Sequence, residues 1–551
     1  MNTQEKKYIF VTGGVCSGLG KGITVASLGR LLKARGYKVT IQKFEPYINM
    51  QPGLLSPYQH GEVYVTEDGA EVDLDLGHYE RYIDENLGVN NSVSAGNIYW
   101  EVLNKERKGA YKGATVQIIP HITDAIKERI CLASRDAQSD IIISEIGGTV
   151  GDIESLPFIE AIRQISQDKG MQNVMYIHLA LVPYLSFADE MKTKPAQNAV
   201  KDLMSLGIKP DAIVCRTDRP MSLDMRKKLA MFCNVDQSCV IENRDVSSLY
   251  EIPLLLEEEN FADIVCKRLS LESPAPDLAE WKEIVNHEKQ ITNEITVGLV
   301  GKYTELRDAY LSVVEALKHA GISLNVNINI KWINSRELDD SNAAALLSGV
   351  SGILMPDGYG QNGVDGLIFA ARYVREQKIP FLGIGLGMQC AMIEFARNVM
   401  GLTEAASAEE NPDVTTPIFE YIDRREVSVT EEKPRMRLGA HHCKLADDSL
   451  IQAIYGQNQI YERFRHLCKL NNLYRNEFVK HGMIEAAISH DEKHVEGIEL
   501  PTNMHPWFVG VQFRPEFKSR ITRPSPLIKA FLNACLTESS FNISSTPLIN
   551  D

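Results

Sequence analysis

Short apolar runs alternate with helical stretches from residue 1 to about residue 270. Apolar runs of this length, bounded by turn residues, are typical of strands buried on both faces. Strands that alternate with helices predict a mostly parallel sheet covered by helices on both faces. The runs are Tyr8–Val11, Val39–Gln42, Ile141–Ser144, Met175–Val182 and Ala212–Cys215.

A second alternation of the same kind predicts a second α/β domain. Its candidate strands are Ile295–Val300, Ile328–Trp332, Gly352–Met355, Pro380–Ile384 and, as the last, Trp507–Phe513. The proline-containing segment Ser273–Asp277 and the charged helix after it are typical of a linker. The expected organisation is a first domain at residues 1–270, a linker at 271–294, a second domain at 295–540 and a polar tail at 541–551.

The first apolar run leads directly into a glycine-rich loop with one lysine, and a helical stretch follows. In such a layout, backbone N–H groups and the helix N-terminus face the phosphate oxygens of a triphosphate. The pattern G-x-x-x-x-G-K-[ST] is matched imperfectly, because it needs glycine at Val15 and a hydroxyl at Gly22. A glycine-rich turn that binds nothing is the alternative. The predicted triphosphate contacts are Ser17, Gly18, Leu19, Gly20, Lys21, Gly22, Ile23 and Asp75.

Three further polar clusters lie in the first half of the chain, at residues 69–80, 144–154 and 191–197. Transfer of a phosphoryl group from a triphosphate needs Mg²⁺, which carboxylates hold against the phosphates. Asp75 and Glu145 are the candidate ligands, since each lies near the end of a predicted strand. An isolated carboxylate is more often a solvated loop charge. Three clusters and a lysine loop in one domain favour a site.

Composition narrows the class of protein. A chain of 551 residues with 44% hydrophobic content and a net charge of −15 is typical of a multidomain globular protein with no nucleic-acid partner. We find no apolar run of signal-peptide or membrane-spanning length. The ten cysteines show no C-x-x-C spacing, which suits reduced thiols. We therefore expect a cytoplasmic enzyme without a membrane partner.

Long sequence strings give the chain a full-length resemblance to the CTP synthase family, from about residue 6 to 535. The strings include Leu19-Gly-Lys-Gly22, Pro46-Tyr-Ile-Asn49, Asp73-Leu-Asp-Leu-Gly-His-Tyr-Glu-Arg81, Glu145-Ile-Gly-Gly-Thr-Val-Gly-Asp-Ile-Glu154 and Lys192-Thr-Lys-Pro195. The resemblance implies a P-loop-like synthetase domain and a class I glutamine amidotransferase-like domain. It also implies a reaction in which O4 of UTP takes the γ-phosphate of ATP and an amine then displaces the phosphoryl group at C4.

The same resemblance implies roles for single residues. Lys21 and Lys43 match the catalytic lysines that contact ATP phosphates, and Asp75 and Glu145 match the Mg²⁺ ligands. A homotetramer built through the N-terminal domains, able to form filaments, is also implied. The residues that match contacts to UTP, or to the inhibitor CTP, are Ser17, Asp152, Glu154, Lys192, Thr193, Lys194, Gln197 and Lys228.

The second domain departs from its family pattern at the catalytic positions. A glutaminase needs a cysteine on a G-x-C-x-G turn, a histidine base and a glutamate that orients it. Here Gly385 stands at the nucleophile position and Arg514, which cannot act as a base near neutral pH, at the histidine position. Glu516 alone remains of the triad. The sequence predicts a folded domain without glutaminase activity.

Other departures from the family pattern occur in both domains. Asp357 places a carboxylate in the oxyanion turn, and Leu467 replaces the arginine expected to hold the glutamine carboxylate. Cys390, five residues after the nucleophile position, is expected to be a core residue. In the first domain Glu45 replaces an aspartate, and Gln51 and Leu54 replace a carboxylate and a hydroxyl. Neutral drift and a changed nucleophile both explain these last three substitutions.

The leading hypothesis is an ATP- and Mg²⁺-dependent ligase that acts on UTP or a related pyrimidine nucleotide. Its nitrogen would not come from glutamine. Free ammonia would give CTP, whereas a small amine or amino acid would give an N4-substituted cytidine nucleotide. The alternative is a regulatory or structural homologue that co-assembles with a true CTP synthase, although such a subunit has no need of the phosphate lysines and metal carboxylates.

Overall fold

The computed structural model describes residues 5–14, 18–50, 52–187, 189–422 and 436–544. The chain divides into two compact units. The first unit comprises Met1–Leu54 and Val72–Val285, and the second unit comprises Leu55–Glu71 and Asn286–Asp551. Within the described part of the chain, no helix is both long and apolar enough to cross a membrane.

The first unit is built on a seven-stranded sheet in which all neighbouring strands are parallel. Each predicted run forms a strand of this sheet, usually with a few more residues than the apolar pattern marked. In spatial order the strands are Val240–Arg244, Ala212–Thr217, Val174–Leu181, Lys7–Gly13, Ile141–Ile146, Val39–Glu45 and Ser92–Ser94.

Helices cover this sheet and close its cores. One core packs Phe10, Phe44 and Ile142 against Ile126 and Ile162, all with no exposed surface. Parallel sheets need such cover on both faces, which explains why their strands are almost wholly apolar. The helices are Lys21–Ala34, Asp75–Ile83, Ala95–Arg107, Thr123–Asp136, Leu156–Lys169, Lys194–Ser205, Leu223–Cys233, Ile252–Glu258 and Phe261–Arg268.

The second unit contains a nine-stranded sheet of mixed direction. Its first five strands are parallel and the remaining four are antiparallel to their neighbours. In spatial order they are Asn327–Asn334, Glu294–Gly301, Gly352–Met355, Phe381–Ile384, Phe508–Val511, Val495–Glu499, Ile484–Ser489, Arg437–Leu445 and Gln459–His466. The longer helices of this unit are Leu311–Ser323, Val364–Gln377, Leu386–Asn398, Asn472–Lys480 and Pro526–Ser544. Cys390 is buried in the core, as expected.

The structure differs from the expected organisation in three places. The helix Ala279–Glu288, in the predicted linker, buries Trp281 and Val285, and the Trp281 indole donates a hydrogen bond to the Tyr250 carbonyl of the first unit. The segment Leu55–Glu71 belongs to the second unit although it lies within the first predicted domain. The final helix continues to Ser544, whereas the composition predicts a polar tail; residues 545–551 lie outside the described part.

Candidate active site

The glycine-rich loop of the first unit leads from the strand Lys7–Gly13 to the N-terminus of the helix Lys21–Ala34. Gly20 caps this helix with a φ of 84°, a left-handed conformation that glycine adopts without strain. The first turn carries no acidic side chain, so its N–H groups are available to an anion. Ser17 lies outside the described residues. The described part of the loop has the features that a phosphate group requires.

The missing hydroxyl of the loop pattern has a structural reason. A Cβ at Gly22 would collide with Oδ1 of Asp75, the first residue of the helix Asp75–Ile83. The aspartate therefore approaches the helix terminus at the position that a serine or threonine side chain would occupy. Lys21 donates a hydrogen bond to the Gly148 carbonyl at 2.6 Å. The glycine loop and the Asp75 carboxylate are adjacent.

Lys43 is the centre of a buried charge cluster. It lies on the strand Val39–Glu45, where the parallel register places it opposite Glu145. Its ammonium is hydrogen-bonded to Asp75, and lies 3.4 Å from Asp73 Oδ1 and 3.7 Å from Glu145 Oε1. Glu45 Oε2 is 3.9 Å away. Lys43 thus occupies a point on which four carboxylates converge.

Burial and charge act in opposite directions on these groups. Burial alone would lower the pKa of Lys43, but the surrounding carboxylates hold it well above its usual range. Burial would raise the pKa of Asp75, yet Lys43 and His78 bring it below its ordinary value. Burial raises the pKa of Glu145 and lowers that of Lys21. The cluster has more acidic than basic groups and can accept a further cation.

Asp75 and Glu145 suit a magnesium ion by chemistry and by placement. Both offer oxygen ligands, which Mg²⁺ prefers, and both lie beside the same lysine ammonium. Within the described ranges, no group of three or more His, Cys, Asp or Glu side chains is arranged to hold a metal alone. Mg²⁺ is commonly bound by one or two carboxylates together with substrate phosphates. The two residues fit that mode.

The residues expected to contact the pyrimidine nucleotide lie on three segments of the first unit. Thr193 precedes the helix Lys194–Ser205 and accepts a hydrogen bond from Gln197 Nε2 at 3.1 Å, while Lys192 pairs with Glu190. Asp152 and Glu154 are exposed, and Asp152 accepts a hydrogen bond from the Thr149 N–H. The helix that carries Lys228 packs against the helix that carries Gln197. In the described residues, no hydrogen bond or ion pair joins the three segments.

In the second unit, a sharp turn connects the strand Phe381–Ile384 to the helix Leu386–Asn398. Gly385 forms the turn with a φ of 56° and a ψ of −112°, a conformation that is strained for other residues. A Cβ at this position would collide with the carboxylate of Asp357. The Leu386 N–H after the turn donates to Asp357 Oδ1 at 2.9 Å. The carboxylate therefore occupies the hydrogen-bond donor next to the turn.

Arg514 completes a buried ion cluster at this turn. Its Nη1 donates to Asp357 Oδ2 at 3.0 Å, and its Nε donates to Glu516 Oε1 at 2.5 Å. The Tyr359 hydroxyl also donates to Asp357 Oδ2, at 2.9 Å. Burial would lower the pKa of Arg514, but Glu516 and Asp357 raise it above its usual value. The base and oxyanion positions are thus joined by a charged network.

Family comparisons agree with this architecture. The family model for the CTP synthase N-terminus matches residues 7–271, and that for class I glutamine amidotransferase matches residues 305–534. The chain is 57% identical to the CTP synthase of Ruminiclostridium cellulolyticum over 96% of its own length and 98% of that protein. The chain belongs to the CTP synthase family. Its members are C–N ligases.

Other relatives cover nearly the same length. The CTP synthase of Clostridium acetobutylicum is 54% identical, over 97% of this chain and 99% of that one. Among solved structures, the glutaminase domain of Trypanosoma brucei CTPS with bound acivicin is 34% identical and covers 44% of this chain and 94% of that domain, with a TM-score of 0.41. The two CTP synthase relatives match this chain over 96% and 97% of its length, so the family assignment covers both units.

Two residues that contact the Lys43 cluster were not predicted from the sequence. Asp73 accepts from Lys43, and its position two residues before Asp75 was a usable signal. The Tyr79 hydroxyl donates to Glu145 Oε2 at 2.5 Å. Tyr79 lies four residues after Asp75, so helix periodicity places both on one face. Asp73 and Tyr79 thus contact Lys43 and Glu145 in the cluster that holds the candidate Mg²⁺ ligands.

Proposed function

We propose that this protein is an ATP- and Mg²⁺-dependent ligase that phosphorylates O4 of UTP and replaces it with a nitrogen that does not come from glutamine. The observation that carries the proposal is the ion cluster at Gly385. A glutaminase requires a nucleophile, a base and free oxyanion donors at such a turn. Here there is no side chain at residue 385, an arginine stands at the base position and Asp357 holds the Leu386 N–H.

The first unit retains what phosphoryl transfer requires. Lys21 and Lys43 would neutralise the charge that develops on the transferred phosphoryl group, and the N-terminus of the helix Lys21–Ala34 would bind phosphate oxygens. Asp75 and Glu145 would hold Mg²⁺, which, when bound, offsets phosphate charge and polarises the γ-phosphate. Bound in line, the substrate oxygen and the γ-phosphate need little further chemistry from the protein.

The nucleotide acceptor would be UTP or a close relative. By family resemblance, the contacts of the pyrimidine nucleotide are Ser17, Asp152, Glu154, Lys192, Thr193, Lys194, Gln197 and Lys228. Ammonia as nucleophile would give CTP, whereas a small amine or amino acid would give an N4-substituted product. Since Lys21, Lys43, Asp75 and Glu145 are all present, we favour an active ligase over a regulatory homologue.

We expect glutamine to support no product. Mass spectrometry of reactions with ATP, Mg²⁺ and UTP should show an aminated nucleotide with ammonium or with one member of an amine panel. Glutamine, with or without GTP, should give neither that nucleotide nor glutamate. The single variant Gly385→Cys should stay inactive toward glutamine, because its Cβ would collide with Asp357.

Two results would contradict the proposal. Release of glutamate by the unaltered chain would show that the second unit is a glutaminase by another route. Absence of ADP under every condition would favour the regulatory homologue. Ammonium serves as the control for nucleotide chemistry, because it bypasses the second unit.

We also infer a homotetramer built through the first units, with filaments as a further level of assembly. Four isoleucines of the first unit are exposed, Ile48 by 70% and Ile153 by 80%, beside a pocket of about 440 Å³ that Ile118 and Ile119 also line. Exposed apolar patches of this kind mark interaction surfaces. Ile153→Asp should lower the mass measured by light scattering, whereas the exposed Met204→Asp, outside this pocket, should not.

A further inference from the structure

Glu45 differs from the other carboxylates of the Lys43 cluster in its contacts. Asp75 takes the close contact with Lys43, whereas Glu45 Oε2 stays 3.9 Å from the ammonium. The side chain of Glu45 is 21% exposed, against 2% for that of Glu145. Glu45 is thus near the phosphate lysine Lys43, mostly buried but with part of its side chain exposed, and its nearest cation among the described residues is 3.9 Å away.

The position of Glu45 connects the phosphate lysines with the pyrimidine contacts. A Cβ at Gly147 would lie 3.0 Å from Glu45 Oε1, and one at Gly148 would lie 3.4 Å from Asp152 Oδ2. The Gly148 carbonyl is also the acceptor for Lys21. Glu45 therefore lies at the carboxyl end of its strand beside Gly147, and the next residue, Gly148, is the one that contacts both Lys21 and the neighbourhood of Asp152.

An amine that reaches this site from solution must lose protons. Alkylammonium groups have a pKa of about 10.4, so most of the amine near neutral pH has no lone pair. After the attack, the nitrogen bonded to C4 carries an additional proton that must leave. A carboxylate at the site can accept such a proton if it lies within hydrogen-bond reach.

We propose that Glu45 is the general base for the nitrogen nucleophile. This proposal rests on the proposed function above. In this step the nitrogen lone pair forms the bond to C4 of the 4-phosphoryl nucleotide. The C4–O4 bond breaks and its electron pair leaves with phosphate. One N–H proton passes to the carboxylate of Glu45 and from there to solvent.

The titration of Glu45 suits this role. Burial raises its pKa to about 7, with Lys43 acting in the opposite direction and Asp73, Glu145 and Asp75 in the same direction. Tyr47, two residues further along the chain, has its pKa raised by burial and then by Glu45, Asp152 and Glu154. A base with a pKa near the working pH accepts and returns protons most efficiently.

The test compares Glu45→Gln and Glu45→Asp with the unaltered full-length chain. Product formation from ATP, Mg²⁺, UTP and ammonium or methylammonium is followed by mass spectrometry between pH 6 and 9, with single-turnover ADP formation in parallel. Glu45→Gln should form product about 10²–10⁴-fold more slowly at pH 7 while ADP formation is unchanged. In Glu45→Gln the component of the pH profile that titrates near pH 7 should disappear, leaving only the rise that follows the fraction of unprotonated amine. Glu45→Asp should restore part of the activity.

Each other outcome decides against the proposal. A normal product rate and pH profile in Glu45→Gln would overturn it, and so would an equal loss of ADP formation, which would indicate a role in arranging charge. Glu85→Gln, which removes an exposed carboxylate of the same unit, is the matched control and should be silent. If the unaltered chain forms no product with either amine, the proposed function fails, and the inference with it.

Discussion

Replacing Lys43 by alanine should reduce ATP-dependent turnover of the nucleotide by at least about 10²–10³-fold, the effect of removing one group that stabilises transition-state charge. The ammonium is hydrogen-bonded to Asp75 and lies 3.7 Å from Glu145 Oε1, so it contacts both candidate Mg²⁺ ligands. Without it, no fixed positive charge on this strand would meet the transferred phosphoryl group. The two carboxylates would also repel each other more strongly.

The measurement is the rate of ADP formation with UTP and ammonium at saturating ATP. Lys38→Ala is the matched control, since Lys38 is exposed and precedes the same strand. Because Lys43 is buried, thermal unfolding must show that the variant still folds. Lys21→Ala should have a comparable effect. Normal turnover in a folded Lys43→Ala variant would remove this lysine from the mechanism.

Most of the parallel strands of both units could be predicted from the sequence, because buried parallel strands are uninterrupted apolar runs. The four antiparallel strands of the second sheet were not predicted. The run at Ile141 predicted a strand that delivers Glu145 to the carboxyl edge, and the structure places it opposite Lys43. The resemblance to the CTP synthase family added the residue roles. Both the apolar runs and the family strings are continuous stretches of sequence, so each can be found without knowledge of distant contacts.

Long-range contacts could not be predicted in the same way. The segment Leu55–Glu71 is joined to the second unit by contacts such as Glu62 with Ser312 and Tyr64 with Phe517, separated by 250 residues or more. No periodicity within the segment indicates these partners. The collision between a Cβ at Gly22 and Asp75 likewise became visible only in three dimensions.

The turn at Gly385 lies between these cases. The sequence predicts that the nucleophile and base positions hold Gly385 and Arg514, but it does not predict that Arg514 contacts Asp357. In the structure Asp357 accepts hydrogen bonds from both Arg514 and the Leu386 N–H, so two separate departures form one network. A network of this kind pairs the buried charges at the turn, so the unit can hold them without an uncompensated ion.

We expect Arg514→Leu to destabilise the second unit by about 3–5 kcal/mol, the usual effect of removing one partner from a buried ion pair. Asp357 and Glu516 are 7% and 1% exposed, so both carboxylates would stay buried without a guanidinium. Protonation relieves an uncompensated carboxylate, and the folded variant would bind more protons than its unfolded state. Its stability relative to the unaltered chain should therefore recover as the pH falls.

Calorimetry of the full-length chain at several pH values measures this effect as a fall in the unfolding temperature on the order of 10 °C near neutral pH. Arg372→Leu is the matched control, because Arg372 pairs with Asp340 and Glu376 at the surface and should contribute less than about 1 kcal/mol. Adding Asp357→Asn to Arg514→Leu removes one uncompensated charge and should restore part of the loss. Equal unfolding temperatures for Arg514→Leu and Arg372→Leu would show that the ion cluster at the Gly385 turn does not stabilise the second unit.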